Sequence, residues 1–183
     1  MNDELVLYLD AKAEFKGNVL LQLAEKHNMK TFVETGTYSG EMVKYMNDNY
    51  KFSRIYSIEL SLRLYARAFK LFQDQQHITI LQGDSGEQLR HLDLRKPALF
   101  WLDAHYSCGC TARGKKITPI LEELDIIMSS VDHVIVIDDL DNLPKWSVPV
   151  AVLKKYIWER KPQVEFTIVD TMLIVEPCAY GGI

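Results

Sequence analysis

The chain reads as a doubly wound α/β domain, with a mostly parallel sheet, helices on both faces and a C-terminal antiparallel hairpin. Three observations predict this. Short apolar, β-branched runs alternate with segments of helical period from about residue 31 onward. Several of these runs stop on an acid or a glycine turn, as buried parallel strands stop at the ligand-binding edge of such a sheet. The last two runs, QVEFTIV and TMLIVE, meet around a tight Asp170-Thr171 turn that leaves no room for a helix. Five β-α units followed by a hairpin make seven strands, with right-handed crossovers.

The elements follow in order. Residues 3–16 read as a helix with Leu5, Leu9 and Ala13 on one face. Gly17-Asn18 is expected to break it, and Asn18 to cap a second helix in which Leu20, Leu23, Ala24 and His27 keep the i, i+3, i+4, i+7 spacing. These N-terminal helices (1–29) would cover the core or, as a second use, form a dimer face. The core, 30–183, then completes a single domain. TFVET (31–35) is the first strand, and Ser39 is expected to cap a helix to about Asn47. RIYSIEL (54–60) is the second strand, and Ser61 caps the helix LRLYARAFKLF. HITILQ (77–82) is the third, followed by Asp84 and Glu87 in a spacing that permits reciprocal capping. PALFWLD (97–103) is the fourth. After the polar loop HYSCGCTARGKK, Thr118-Pro119 opens a helix, since proline is tolerated in the first turn. HVIVIDD (133–139) is the fifth strand, and Pro149 marks a helix over 149–159.

At 183 residues the chain suits one domain with a proper core. A net charge of −4 argues against a basic nucleic-acid face. MNDEL leads into no long apolar stretch, so neither a secretory leader nor a membrane span is expected. The cysteines are Cys108, Cys110 and Cys178, an odd count that suggests reduced thiols in a cytoplasmic protein. No second Cys/His pair completes a zinc site with Cys108 and Cys110.

Two strand endings carry the chemistry. ALFWLDAH stops at Asp103 and His105, and VIVIDD stops at Asp138 and Asp139. If these strands are neighbours, about 4.8 Å apart, three carboxylates can reach one hard cation through oxygen. Magnesium and manganese suit such ligands equally. An isolated Asp-Asp pair is ordinarily a loop cap, but one that follows an apolar strand and is matched by Asp103 reads as a ligand set. His105 reads as a general base or as a loop histidine bonded to a backbone carbonyl. In Glu34-Thr35-Gly36-Thr37-Tyr38-Ser39-Gly40, Gly36 lets the chain turn sharply and Gly40 permits close approach of a ligand. Glu59 ends the second strand, where a carboxylate can accept both hydroxyls of a ribose. Gly83-Asp84-Ser85 ends the third, where an acid or hydroxyl can meet an adenine edge, although Asp84 also suits a helix cap.

ETGTYSG, the acid of YSIEL, GDS and LDAH together resemble the successive motifs of class I S-adenosylmethionine-dependent methyltransferases, over roughly residues 30–175. That family has a Rossmann-like sheet with an antiparallel strand near its end. LDAH with IDD is most similar to the metal-dependent O-methyltransferases, of macrocin type and more distantly of catechol type. The resemblance implies Asp103, Asp138 and Asp139 as magnesium ligands, and Asp103 and His105 as the catalytic pair. It places Glu34 and Gly36 beside the methionine part of S-adenosylmethionine, Glu59 on the ribose, and Asp84 and Ser85 at the adenine. Thr35, Thr37, Tyr38, Ser39, Gly40, Leu60 and Asp103 complete the cofactor-binding set. The chain departs from the family loop at Tyr38, where a glycine is usual.

The implied reaction moves a methyl group from a sulfonium to a hydroxyl of a small acceptor, such as a sugar. With no large cap segment, the acceptor would meet the N-terminal helices, the loop 104–117, the loop 139–148 or a partner subunit. There Tyr106 and Trp146 could wall a pocket, while Arg113, Lys115 and Lys116 read as a solvated loop or a lid over an acidic acceptor. Three other readings account for part of the pattern. A nicotinamide-dinucleotide oxidoreductase would use Glu59 equally, but the spacing Gly36-x-x-x-Gly40 is wrong for its fingerprint. A non-catalytic module could keep the cofactor pocket. A metal-dependent hydrolase would leave the adenosine-type motifs unexplained.

Overall fold

The computed structural model describes residues 10–103, 118–143 and 148–178. Seven strands form one sheet: β1 (Thr31–Thr35), β2 (Arg54–Glu59), β3 (Ile78–Gln82), β4 (Leu99–Leu102), β5 (Val134–Ile137), β6 (Val164–Val169) and β7 (Met172–Pro177). Their order is β3-β2-β1-β4-β5-β7-β6. β7 runs antiparallel to both of its neighbours. The pairs β1–β2, β1–β4, β2–β3 and β4–β5 are parallel. The order reverses between β1 and β4, which opens a crevice at the carboxyl ends of these strands.

Alternate residues of the central strands feed two cores. Phe32, Ile55, Trp101, Val134 and Val136 face α1 (Ala11–Lys26), α2 (Glu41–Asn49) and α3 (Leu62–Phe72). Val33, Ile58, Phe100, Ile135 and Ile137 face Leu89, just after α4 (Ser85–Gln88), with α5 (Ile120–Ile127) and α6 (Val150–Arg160). β4 (LFWL) and β5 (VIVI) are apolar throughout because both of their faces are covered. Among the described residues no helix is long and apolar enough to cross a membrane.

The expected break at Gly17-Asn18 is absent. One helix, α1, runs through both residues from an Asp10 cap, whose side chain accepts the Ala13 N–H at 2.8 Å. Gly17 serves packing instead. A Cβ built there would lie 2.5 Å from Tyr45 Cε1, so the glycine lets α1 and α2 approach closely. Asn18 receives the Tyr45 hydroxyl at 3.0 Å rather than capping a helix. The capping signals at Ser39 and Asp84 are also overridden. Gly40, at φ 85°, caps α2, and the Ser39 Oγ is buried with no hydrogen-bond partner among the described residues. Asp84 stands at the cap of the short α4 without a side-chain capping bond. Ser61 caps α3 as expected. Pro119 and Pro149 stand at the cap positions of α5 and α6, one residue before the helical turns.

Candidate functional site

The parallel pairing of β4 and β5 aligns Leu102 with Ile137, so Asp103 and Asp138 leave the sheet side by side. The Asp103 N–H donates to the Thr35 carbonyl at 3.0 Å, and the Asp138 N–H to the Leu102 carbonyl at 3.1 Å. The two acidic strand endings and the ETGTYSG loop therefore meet at the switch point. An open cleft of about 220 Å³ lies there, lined by the first turns of α1, by Glu34 and Gly36–Ser39, and by Trp101, Asp103 and Asp138.

The loop after β1 is built for tight turning. Gly36, Tyr38 and Gly40 all have positive φ, at 93°, 50° and 85°. The Gly36 N–H is held by the Ile58 carbonyl at 2.9 Å. Tyr38 donates its N–H to Glu59 Oε2 at 2.9 Å, and Glu59 Oε1 accepts the Ser61 N–H at 2.7 Å. One carboxylate thus pins both the β1–α2 loop and the start of α3. This structural use of Glu59 was not foreseen from the sequence. A carboxylate has about four acceptor positions, so these two bonds leave capacity for ribose hydroxyls. Leu60 accepts from the Gln82 side chain through its carbonyl at 3.1 Å, and the Gly83 N–H bonds to the Glu59 carbonyl at 3.0 Å. The ends of β2 and β3 are therefore tied together, and Asp84 and Ser85 follow directly after β3.

Glu34 is only 2% exposed. The Ser57 hydroxyl donates to it, and Ser57 also contacts Thr37 Oγ1 at 2.6 Å. Burial, reinforced by the charges of Asp103 and Glu59 and opposed by Ser57, pushes its pKa up to about 8. Glu123 on α5 was not foreseen either. It is 1% exposed, and burial raises its pKa to about 7 against the hydroxyls of Ser85 and Thr35. Its signal in the sequence is an acid inside the apolar stripe Ile120, Glu123, Leu124, Ile127.

The carboxylate trio differs most from expectation. Lys16 of α1, 7% exposed, donates its ammonium to Asp138 Oδ2 and lies 3.7 Å from Asp139 Oδ1. Its Nζ is 5.8 Å from the centre of the Trp101 ring. Burial by itself would lower the Lys16 pKa. The hydrogen bond and charge of Asp138, then the charges of Asp139 and Asp103, carry it above its ordinary value. Asp138 is raised by burial first and by Asp103 second, against the pull of Lys16. The remaining oxygens of the pair are also engaged: Asp138 Oδ1 accepts the Thr171 hydroxyl at 3.3 Å, and Asp139 Oδ2 accepts Asn142 at 3.2 Å.

This arrangement does not fit a divalent ion. The ammonium takes up the Asp138 Oδ2 acceptor that such an ion would use and lies close to Asp139 Oδ1, so it would repel an ion bound to the same acids. Among the described residues no group of three His, Cys, Asp or Glu side chains is set to hold a metal. Lys16 was not singled out from the sequence, although it sits on the apolar stripe of Leu20, Leu23 and Ala24. His105, Tyr106, Cys108, Cys110, Arg113, Lys115, Lys116 and Trp146 lie outside the described residues.

No family model and no curated protein matches this chain by sequence. Solved structures do match it. An S-adenosylhomocysteine-bound methyltransferase from Podospora anserina is 15% identical, with a TM-score of 0.63 over 94% of this chain and 83% of its own. The chain has a methyltransferase fold. The O-methyltransferase TomG of Streptomyces achromogenes, involved in tomaymycin synthesis and solved with S-adenosylmethionine, is 17% identical, with a TM-score of 0.65 over 94% and 82% of the two chains. The N-methyltransferase NodS of Bradyrhizobium japonicum is 12% identical, with a TM-score of 0.62 over 93% and 99%. Neighbours of one fold thus differ in the atom they methylate, so the fold leaves the acceptor atom open.

Proposed function

We propose that this protein is an S-adenosylmethionine-dependent methyltransferase acting on a hydroxyl of a small acceptor. One observation carries the reading: Glu34, the Gly36–Gly40 loop, Glu59 and Asp103 converge on the carboxyl edge of the sheet, at the switch point of a methyltransferase fold. When bound, the cofactor supplies an electrophilic methyl on a sulfonium. Glu34 and the loop from Thr35 to Gly40 lie where the methionine part is expected. The buried Ser39 hydroxyl offers a polar atom that no group among the described residues satisfies. Glu59, with Leu60 beside it, takes the ribose, and Asp84 and Ser85 flank the adenine.

The acceptor enters from the α1 side of the cleft, where Asp10, Lys12 and Trp101 form the walls. Holding its oxygen in line with the methyl supplies much of the acceleration. Asp103 and His105 are the candidates to take the hydroxyl proton. No step is assigned to magnesium or manganese, because Lys16 stands in the carboxylate cluster that would hold the ion.

Calorimetric titration of S-adenosylhomocysteine tests the reading. Saturable binding at one site per chain is expected, with methyl transfer appearing in a screen of hydroxylated acceptors. Failure of the folded protein to bind it, together with binding of a nicotinamide dinucleotide, would replace this function with an oxidoreductase.

A further inference from the structure

We propose that the Lys16 ammonium is the resident cation of the Asp103, Asp138 and Asp139 cluster, standing where a divalent ion would otherwise sit. The sequence places three acids at the ends of two neighbouring strands, an arrangement that calls for a positive charge. The fold supplies one from a distant element. Lys16 lies 122 residues before Asp138, on the face of α1 that packs against the sheet. Its stem is buried beside Trp101, and its ammonium bridges toward both acids of the β5 ending. Thr171 and Asn142 bond the other oxygens of the two acids and hold them turned toward the lysine. Lys16 and Asp138 both line the cleft, as does Asp103, so the lysine offsets part of the acidic charge that faces it. This inference concerns the cation site alone and does not depend on methyl transfer.

The test is Mn²⁺ binding, followed by loss of the free-ion electron paramagnetic resonance signal, in the wild type, Lys16→Met and Lys16→Met/Asp138→Asn. Methionine keeps an apolar stem beside Trp101 and removes the charge. The wild type is expected to leave the signal unchanged. Lys16→Met should take up one Mn²⁺ per chain at least about tenfold more tightly than the wild type, and the added Asp138→Asn should abolish the gain. Tight Mn²⁺ binding by the wild type overturns the proposal, and so does a folded Lys16→Met that binds no better. Because the wild-type measurement needs no variant, the proposal stays refutable even if Lys16→Met fails to fold. S-adenosylhomocysteine titration of the same samples reads the methyltransferase function separately, so failure of one reading is distinguishable from failure of the other.

Discussion

Replacing Glu34 by glutamine should stabilise the protein increasingly as the pH rises. In the folded chain Glu34 holds its proton up to about pH 8, against an ordinary value of 4.5, chiefly because burial penalises its charge and Asp103 and Glu59 add repulsion. The unfolded chain releases that proton near 4.5. Between these limits the native state binds more protons than the unfolded state, so wild-type stability falls with rising pH and levels off above about pH 8. At about 1.4 kcal/mol for each pH unit, the loss from this group approaches about 5 kcal/mol above about pH 8 and about 3 kcal/mol at about pH 7, as upper limits. The glutamine side chain cannot ionise, yet it keeps an oxygen to accept the Ser57 hydroxyl. Urea unfolding of wild type and Glu34→Gln at about pH 4.5, 7 and 9 measures the difference directly. A small difference at the acid end should grow to several kcal/mol at the alkaline end. Asp138 and Glu123 titrate in both proteins and cancel in the comparison to first order. A difference that stays flat over this range would show that Glu34 is already ionised in the folded state.

Two further predictions concern single contacts. Glu59→Ala removes the acceptor of the Tyr38 and Ser61 N–H groups, so it should cost about 2–4 kcal/mol in urea unfolding. It should also weaken S-adenosylhomocysteine binding in calorimetry, and unchanged affinity would take Glu59 away from the ribose. Gly17→Ala would ordinarily strengthen a helix, yet here it should lower the Tm by several degrees, because the new Cβ falls inside contact distance of the Tyr45 ring. A raised Tm would mean that α1 and α2 are not in close contact at Gly17.

Signals carried by neighbouring residues were legible in the chain. The alternation of strands and helices, the terminal hairpin, the Ser61 cap and the acids that end β2, β4 and β5 were all visible, because a strand and its end are written in a few consecutive residues. The sheet order then made Asp103 and Asp138 neighbours, as an unbroken β-α series would suggest. Tertiary structure alone decided the features that depend on what lies opposite. Gly17 carries the same local signal whether it breaks a helix or admits a neighbouring ring, and only the seat of α2 selects the second use. Ser39 and Asp84 have the chemistry of caps, but the left-handed Gly40 takes the cap position of α2, and Asp84 stands at the cap of α4 without a side-chain bond. Lys16 and Glu123 look like ordinary charged helix residues, and their only trace is a charge placed on an apolar stripe. Which opposite charge or hydroxyl meets them follows from how helices far apart in sequence pack onto one sheet. Local periodicity can place the acids at one edge, but the cation that faces them comes from long-range packing.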